Sequence, residues 1–341
     1  MPIALCERNP RVTAEEVLAG LCPPPTFADS TFANYRPVPG QPSQQRALDS
    51  VSSFARSLSA ATPDERLRLR RWSRRRASPE PASGLYLDGG FGVGKTHLLA
   101  ALWHCVPGPK LFATFVELTH LAGALGFAEA VERLSSYRLV CIDEFELDDP
   151  GDTVLMSTLL SRLIERGVSL AATSNTLPDR LGEGRFAAED FLREIQALSS
   201  RFRVVRIDGP DYRHRELTSP AKPHDDAALL ALAGSRPDAS FDHFVDLCRH
   251  LEELHPSTYG ALVESVGLVC LQEVRQLHDQ ATALRLVVFT DRLYDRGAAV
   301  AASGLALDRV FSDEMLSGGF RKKYYRAFSR LAALSHALPA T

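Results

Sequence analysis

Residues 89–96 read Gly-Gly-Phe-Gly-Val-Gly-Lys-Thr and satisfy the pattern GxxxxGK[ST]. Each residue type in that pattern answers a physical requirement of holding phosphate. Gly89, Gly90, Gly92 and Gly94 let successive backbone N–H groups curl around an anion, with Phe91 and Val93 between them. Lys95 supplies charge to the β and γ oxygens of a nucleoside triphosphate such as ATP, and the Thr96 hydroxyl is a ligand for Mg²⁺. Apolar residues 85–87 predict a short strand before the loop, and the stretch after it predicts a helix to about Cys105. The positive end of that helix adds to the anion site. Strand, glycine loop and helix in this order demand an α/β fold of the P-loop type, built on a parallel sheet with helices on both faces.

The alternation continues downstream. Strands are predicted at 111–116, 138–142, 168–174 and 203–207, separated by helices at 117–134, 150–167 and 187–199. Asp149 is placed to cap the helix that opens at Pro150, and Gly167 to stop it. The buried strand Leu139-Val140-Cys141-Ile142 delivers Asp143 and Glu144, 48 residues or more beyond Lys95. Asp143 is the candidate to hold Mg²⁺ through water, and Glu144 the candidate to polarise an attacking water, which points to hydrolysis rather than storage of the nucleotide. The strand 168–174 ends in Thr173-Ser174-Asn175, where Asn175 can sense the γ-phosphate. Arg201, just before the last strand, is the candidate arginine finger supplied to a neighbouring subunit, with Arg193 and Arg185 competing for the role. Arg213 and Arg215 are candidate second-sensor residues after that strand.

Composition narrows the partners. The chain has 341 residues, with 39 Lys plus Arg against 42 Asp plus Glu, so its net charge is -3. That balance excludes a surface given over wholly to nucleic acid. Apolar residues at 45% and charged residues at 24% exclude global disorder and leave ample core. The one local charge anomaly is the run of arginines at 66–76. It reads as a solvated helix face, as a docking site for an acidic partner or anionic membrane, or as a nucleic-acid contact. Only Trp72 interrupts it with an aromatic ring, so no base-stacking groove is expected. The six cysteines form no CxxC pair, the ten histidines show no metal spacing, and no stretch suits a signal peptide or a membrane span. A cytoplasmic protein is expected.

Three segments are expected: 1–83, an N-terminal arm with a helix at 43–59 and the Arg-rich stretch; 84–218, the nucleotide-binding core; and 219–341, a C-terminal α/β region after a linker marked by Pro220 and Pro223. In the last, helices are expected at 241–254, 259–266, 281–296, 305–316 and 320–338, with strands at 267–271 and 298–302. A faint echo links 161–175 with 291–304: a helix end, an Arg-Gly stop, then a strand of small residues. On that pattern alone it is no repeat.

The order and short spacing of the core motifs are the layout of an AAA+ ATPase, and the chain resembles the ZapE cell-division ATPase family over roughly residues 30 to 335. The resemblance rests on Leu85-Tyr86-Leu87, Cys141-Ile142-Asp143-Glu144-Phe145, Ala172-Thr173-Ser174-Asn175, Asp211-Tyr212-Arg213 and Leu293-Tyr294-Asp295-Arg296. Pro42-Ser43-Gln44 resembles the helix that leads into the family's core. Val93 stands where the family usually has Arg, Leu284-Arg285-Leu286 where Arg-Arg-Phe is common, and Thr290-Asp291 is unusual before the Tyr-Asp-Arg element. The Arg that many members carry shortly before Phe191 is displaced to Arg185. The resemblance implies an ATPase acting with the division ring protein FtsZ at the division site. It also implies ATP-dependent homo-oligomers; peripheral membrane or divisome contact is expected of the arginines at 66–76, and no nucleic acid is expected. Mitochondrial members are linked instead to turnover of respiratory-chain subunits. An ATP-dependent nucleic-acid remodeller of helicase-loader type and a nucleotide-switched adaptor are the alternatives.

Overall fold

The computed structural model describes residues 2–11, 13–60, 84–90, 92–146, 150–177, 181, 196, 199–209 and 222–337. The expected helix at 187–199 is described only at 196 and 199. Phe91, the arginines of 66–76, Asp149, Arg185, Arg193, Arg213 and Arg215 lie outside the described residues. The chain divides into two compact units, one of Ala14–Pro23 with Phe27–Tyr212, the other of Met1–Thr13, Pro24–Thr26 and Arg213–Thr341.

The first unit is built on five parallel strands: β1 (Gly84–Gly89), β2 (Lys110–Thr114), β3 (Leu139–Asp143), β4 (Ser169–Ser174) and β5 (Phe202–Ile207), in the order β2-β3-β4-β1-β5. β3 and β4 are buried at every position, as strands covered on both faces must be. On one face lie α1 (Ala14–Gly20), α4 (Phe115–Leu125), α5 (Phe127–Ser135) and α6 (Pro150–Glu165), packed over Val140, Ile142, Leu170 and Ala172. On the other lie α2 (Pro42–Ala60) and α3 (Lys95–Cys105), over Leu139, Cys141 and Ala171. Because β1 pairs with β4 and β4 with β3, the carboxyl ends of all three strands open side by side. Ligand sites in α/β sheets form at such ends.

Two expectations need correction in this unit. The expected strand 111–116 ends at Thr114, because Thr114 caps a helix: its hydroxyl accepts the Glu117 N–H while Glu117 accepts the Thr114 N–H at 2.7 Å. The expected single helix 117–134 is two, broken at Gly126 with φ 79°. The motif Pro42-Ser43-Gln44 starts α2 and clasps the end of β5. Ser43 Oγ accepts the Asp208 N–H at 2.9 Å and Gln44 Nε2 donates to the Asp208 carbonyl at 3.0 Å.

The second unit has three parallel strands in the order β6 (Ala239–His243), β7 (Leu268–Val274), β8 (Ala299–Gly304). α7 (Asp226–Gly234) covers one face. α8 (Phe244–Glu253), α9 (Tyr259–Leu262), α10 (Gln280–Arg296), α11 (Asp313–Ser317) and α12 (Arg321–His336) pack on the other side. Residues 241–243, expected as helix, are strand. Ser240 and Asp242 are buried polar residues there, and they hide the apolar run that would have marked β6. No helix is expected between Pro223 and residue 241, yet α7 lies there, capped by the Asp225 carboxylate on the Ala228 N–H. The expected helix 305–316 is a tight turn at Leu307–Arg309 followed by α11, which Ser312 caps.

The late motifs are structural. Arg285 donates to the carbonyls of Leu251 and Leu254 at 2.8 and 2.9 Å, closing the end of α8. Asp291 on α10 pairs with Arg326 at 2.6 Å and with Arg330 from α12, and Arg330 lies 5.0 Å from the Tyr294 ring. Asp291 and Arg326 are buried and Arg330 is partly so, and the pairing satisfies charge that burial would otherwise make costly.

Candidate active site

The glycine loop leaves β1 at Gly89 and enters α3 at Lys95. Gly94 takes φ 86°, which a side chain would strain, and a Cβ there would lie 2.6 Å from the Tyr35 ring. No side chain caps α3, so its first N–H groups face the loop. Tyr35 braces the loop from outside, donating to the Val93 carbonyl at 3.1 Å. Burial pushes its hydroxyl up to about 12, so it remains a donor at neutral pH.

Inside the loop, Lys95 Nζ donates to the carbonyls of Gly89 and Gly90 at 2.9 and 2.6 Å and to Asn175 Oδ1 at 2.9 Å. Thr96 Oγ1 donates to the Asp143 carboxylate at 3.1 Å. Thus β1, β3 and β4 bring Lys95, Thr96, Asp143 and Asn175 to one place. Glu144 follows directly in a left-handed backbone conformation, φ 55°, unusual for a residue with a side chain. Non-glycine residues persist there only where the surroundings hold them, and such strain gathers at active sites. Cys141 beneath them is fully buried, and burial raises its thiol well above the ordinary value, so it packs and does not react.

Two residues missing from the expected set position the others. Thr173 donates to Asp143 Oδ1 and accepts the Glu144 N–H at 3.1 Å, so one hydroxyl orients both carboxylate residues. Glu146, buried, accepts from Ser174 Oγ at 3.1 Å, the Asn175 N–H at 3.2 Å and Thr176 Oγ1 at 3.3 Å. It thereby shapes the tip that presents Asn175 to Lys95. The sequence signal for Glu146 was a further carboxylate after Phe145; for Thr173 it was a hydroxyl on the strand beside Asp143. Thr173→Ala should leave the fold intact and lower ATP turnover about 10–100-fold by loosening both carboxylates, about 1–3 kcal/mol, whereas Thr173→Ser should recover most of it. Steady-state ATPase assays on both variants check this.

Arg201 is not at this place. It precedes β5, and its carbonyl accepts the Gly84 N–H at the amino end of β1. The length of the strand, roughly 20 Å, separates it from Lys95 of the same chain.

Among the described residues no three His, Cys, Asp or Glu side chains gather as a metal-holding group. A cation beside Asp143 therefore has one carboxylate and the Thr96 hydroxyl from the protein, hard oxygen donors in a sparse set. That fits Mg²⁺, which completes its shell with phosphate and water, and does not fit zinc or a calcium cage.

A parallel sheet in this order, with the lysine, hydroxyl and carboxylates at the carboxyl ends of adjacent strands, defines a P-loop nucleoside triphosphatase of the AAA+ type. The chain belongs to the AFG1-like ATPase family, whose model matches residues 12–235 and 230–338, and it is an ATPase. It is 29% identical to Cell division protein ZapE of Escherichia coli strain K12 over 308 residues, 76% of this chain and 80% of that one. It is 30% identical to Lactation elevated protein 1 homolog B of Danio rerio, over 48% of this chain and 36% of that one. Among solved structures it overlaps the DnaC helicase loader at 17% identity, covering 54% of this chain and 99% of that one, with a TM-score of 0.38.

Proposed function

We propose that the protein hydrolyses Mg-ATP at this site and uses the cycle on the division ring, as a ZapE-type ATPase. The observation that supports it best is the meeting of Lys95, Asn175, Thr96 and Asp143 beside the strained Glu144. In this reading 84–218 is the ATPase core, behind the arm 1–83 and ahead of the region 219–341. The loop 89–96 wraps the phosphates, and Lys95 exchanges its carbonyl partners for β and γ oxygens. Thr96 and Asp143 hold Mg²⁺, which when bound neutralises phosphate charge. Glu144 takes the proton of the attacking water, and Asn175 fixes the γ-phosphate through its link to Lys95. Arg201, remote from its own site, serves a neighbouring subunit in an ATP-dependent homo-oligomer. Work here is positioning and charge neutralisation, as phosphoryl transfer requires.

The partner reading rests on the resemblance to the ZapE family, which implies FtsZ and the division site; the arginines at 66–76 are the candidate peripheral membrane contact, and composition supports the cytoplasm. Among the described residues no helix is long and apolar enough to cross a membrane. The test is ATP turnover of the purified chain alone, with FtsZ, and with single-stranded DNA. FtsZ is expected to change turnover several-fold while DNA leaves it unaltered. Stimulation by DNA with a steep salt dependence, and none by FtsZ, would overturn the partner and leave the chemistry standing.

A further inference from the structure

The second unit repeats the first. Phe112 and Phe241 are 129 positions apart, as are Cys141 and Cys270. In both units this Phe pairs with this Cys across adjacent parallel strands, and the Cys pairs in turn with an alanine of the next strand, Ala171 or Ala301. The sequences around them read Leu-Val-Cys-Ile-Asp-Glu at 139–144 and Leu-Val-Cys-Leu-Gln-Glu at 268–273. After β2 and β6 come Phe115-Val116-Glu117-Leu118 and Phe244-Val245-Asp246-Leu247, both opening a helix.

The details that sequence similarity does not dictate also recur. The Val168 N–H donates to the Leu163 carbonyl at 3.0 Å, and the Ala298 N–H to the Leu293 carbonyl at 3.0 Å, each around an Arg-Gly stop. An N-terminal residue bonds the outer edge of each edge strand, β2 and β6: the Leu21 carbonyl accepts the Phe112 N–H, and the Ile3 carbonyl the Phe241 N–H. Glu273 repeats the left-handed backbone of Glu144, with φ 53° against 55°. The N–H of each donates to a hydroxyl on the next strand, Ser303 at 2.9 Å and Thr173 at 3.1 Å. The two faces of the sheet are also kept: Cys141 lies on the face that α3 covers together with α2, Cys270 on the face that α7 covers, and Val140 and Val269 on the opposite face.

What differs is the chemistry. At the same offset the loop 89–96 falls on Thr218-Ser219-Pro220-Ala221-Lys222-Pro223-His224-Asp225, so none of the four glycines is kept and His-Asp replaces Lys-Thr. Proline lacks an N–H to offer and cannot take the positive φ of Gly94. The end of α7 is closed by the Asp225 carboxylate, which accepts the Ala228 N–H at 2.7 Å and repels phosphate where α3 leaves its N–H groups uncapped. Gln272 replaces Asp143, removing the carboxylate for Mg²⁺. The Glu273 carboxylate accepts from Arg275 at 3.0 Å and lies 3.3 Å from His243 Nε2.

We propose that the C-terminal unit is a duplicated half of the ATPase core whose nucleotide site has been dismantled, so that the chain binds a single nucleotide, at Lys95. The proposal rests on the site reading above and adds the stoichiometry. Calorimetric titration of the full chain with Mg-ADP is expected to give one nucleotide per chain for the wild type, one for Glu273→Gln and none for Lys95→Ala. Two per chain for the wild type, falling to one in Lys95→Ala, would overturn the duplication as an inactive copy while leaving the ATPase site in place; one in both would overturn the assignment to Lys95. No binding by the wild type would instead bring down the site reading, and the stoichiometry with it. ATP turnover is the second readout. Glu273→Gln should keep turnover within about twofold of the wild type, and a hundredfold loss in a variant with wild-type circular dichroism would put the second unit in the chemistry and overturn the proposal.

Discussion

Lys95→Ala is expected to lose nucleotide: affinity for Mg-ATP should fall at least about 100-fold, near 3 kcal/mol, with turnover below detection. The buried ammonium has three donors, and they meet the carbonyls of Gly89 and Gly90 and the Asn175 side chain at 2.6–2.9 Å. The two carbonyls are exchanged for anionic phosphate oxygens when nucleotide binds, and full opposite charges out of bulk water attract more strongly than an ammonium and a carbonyl dipole. Removing the ammonium forfeits that exchange while α3 keeps its buried face of Leu98, Leu99 and Leu102, so the variant should fold. Titration with a fluorescent ATP analogue, alongside circular dichroism, measures both halves of the statement. Affinity within a few-fold of the wild type would remove Lys95 from the site.

Glu144→Gln should separate binding from chemistry. The amide keeps the size of the side chain and the backbone bond to Thr173, so affinity should stay within a few-fold of the wild type. Only the proton acceptor is lost. General base catalysis contributes about 10²–10⁴-fold, and kcat should fall by that amount while KM changes little. The left-handed backbone at Glu144 costs about 1–3 kcal/mol, and the Thr173 hydroxyl and the Phe145 N–H bond to the Thr173 carbonyl at 2.7 Å hold it in place. Glu144→Ala is the harsher control and should lose turnover equally. A Glu144→Gln protein that hydrolyses ATP at the wild-type rate would place the base elsewhere.

The ATPase core was legible because its residues are stereochemically exacting. Only a glycine-rich turn ahead of Lys-Thr cradles phosphate, and only a strand buried on both faces reads as Leu-Val-Cys-Ile before carboxylates. The adjacency of β3, β4 and β1 agrees with those motifs, since Asp143 and Asn175 meet Lys95 where their strands adjoin, whereas the places of β2 and β5 carry no sequence signal. Thr173 and Glu146 were harder to see, because a hydroxyl and a carboxylate near a strand end have many uses. Their role lies in which neighbour they face, and that is a property of the folded tip. In the second unit β6 was misread as helix because Ser240 and Asp242 are buried within it. In sequence the duplication shows as short strings alone, the Arg-Gly stop before small residues and Leu-Val-Cys-Ile-Asp-Glu against Leu-Val-Cys-Leu-Gln-Glu at an offset of 129. Strand register, the helix-end bonds and the matched φ of Glu144 and Glu273 are backbone quantities, so they became visible only in three dimensions.

The most direct test of the central claim is the identity of the nucleotide retained by the protein after incubation with Mg-ATP, for the wild type and Glu144→Gln side by side. ADP is expected on the wild type and intact ATP, at the same stoichiometry, on Glu144→Gln. Intact ATP on the wild type, or ADP formed equally on both, would contradict that claim.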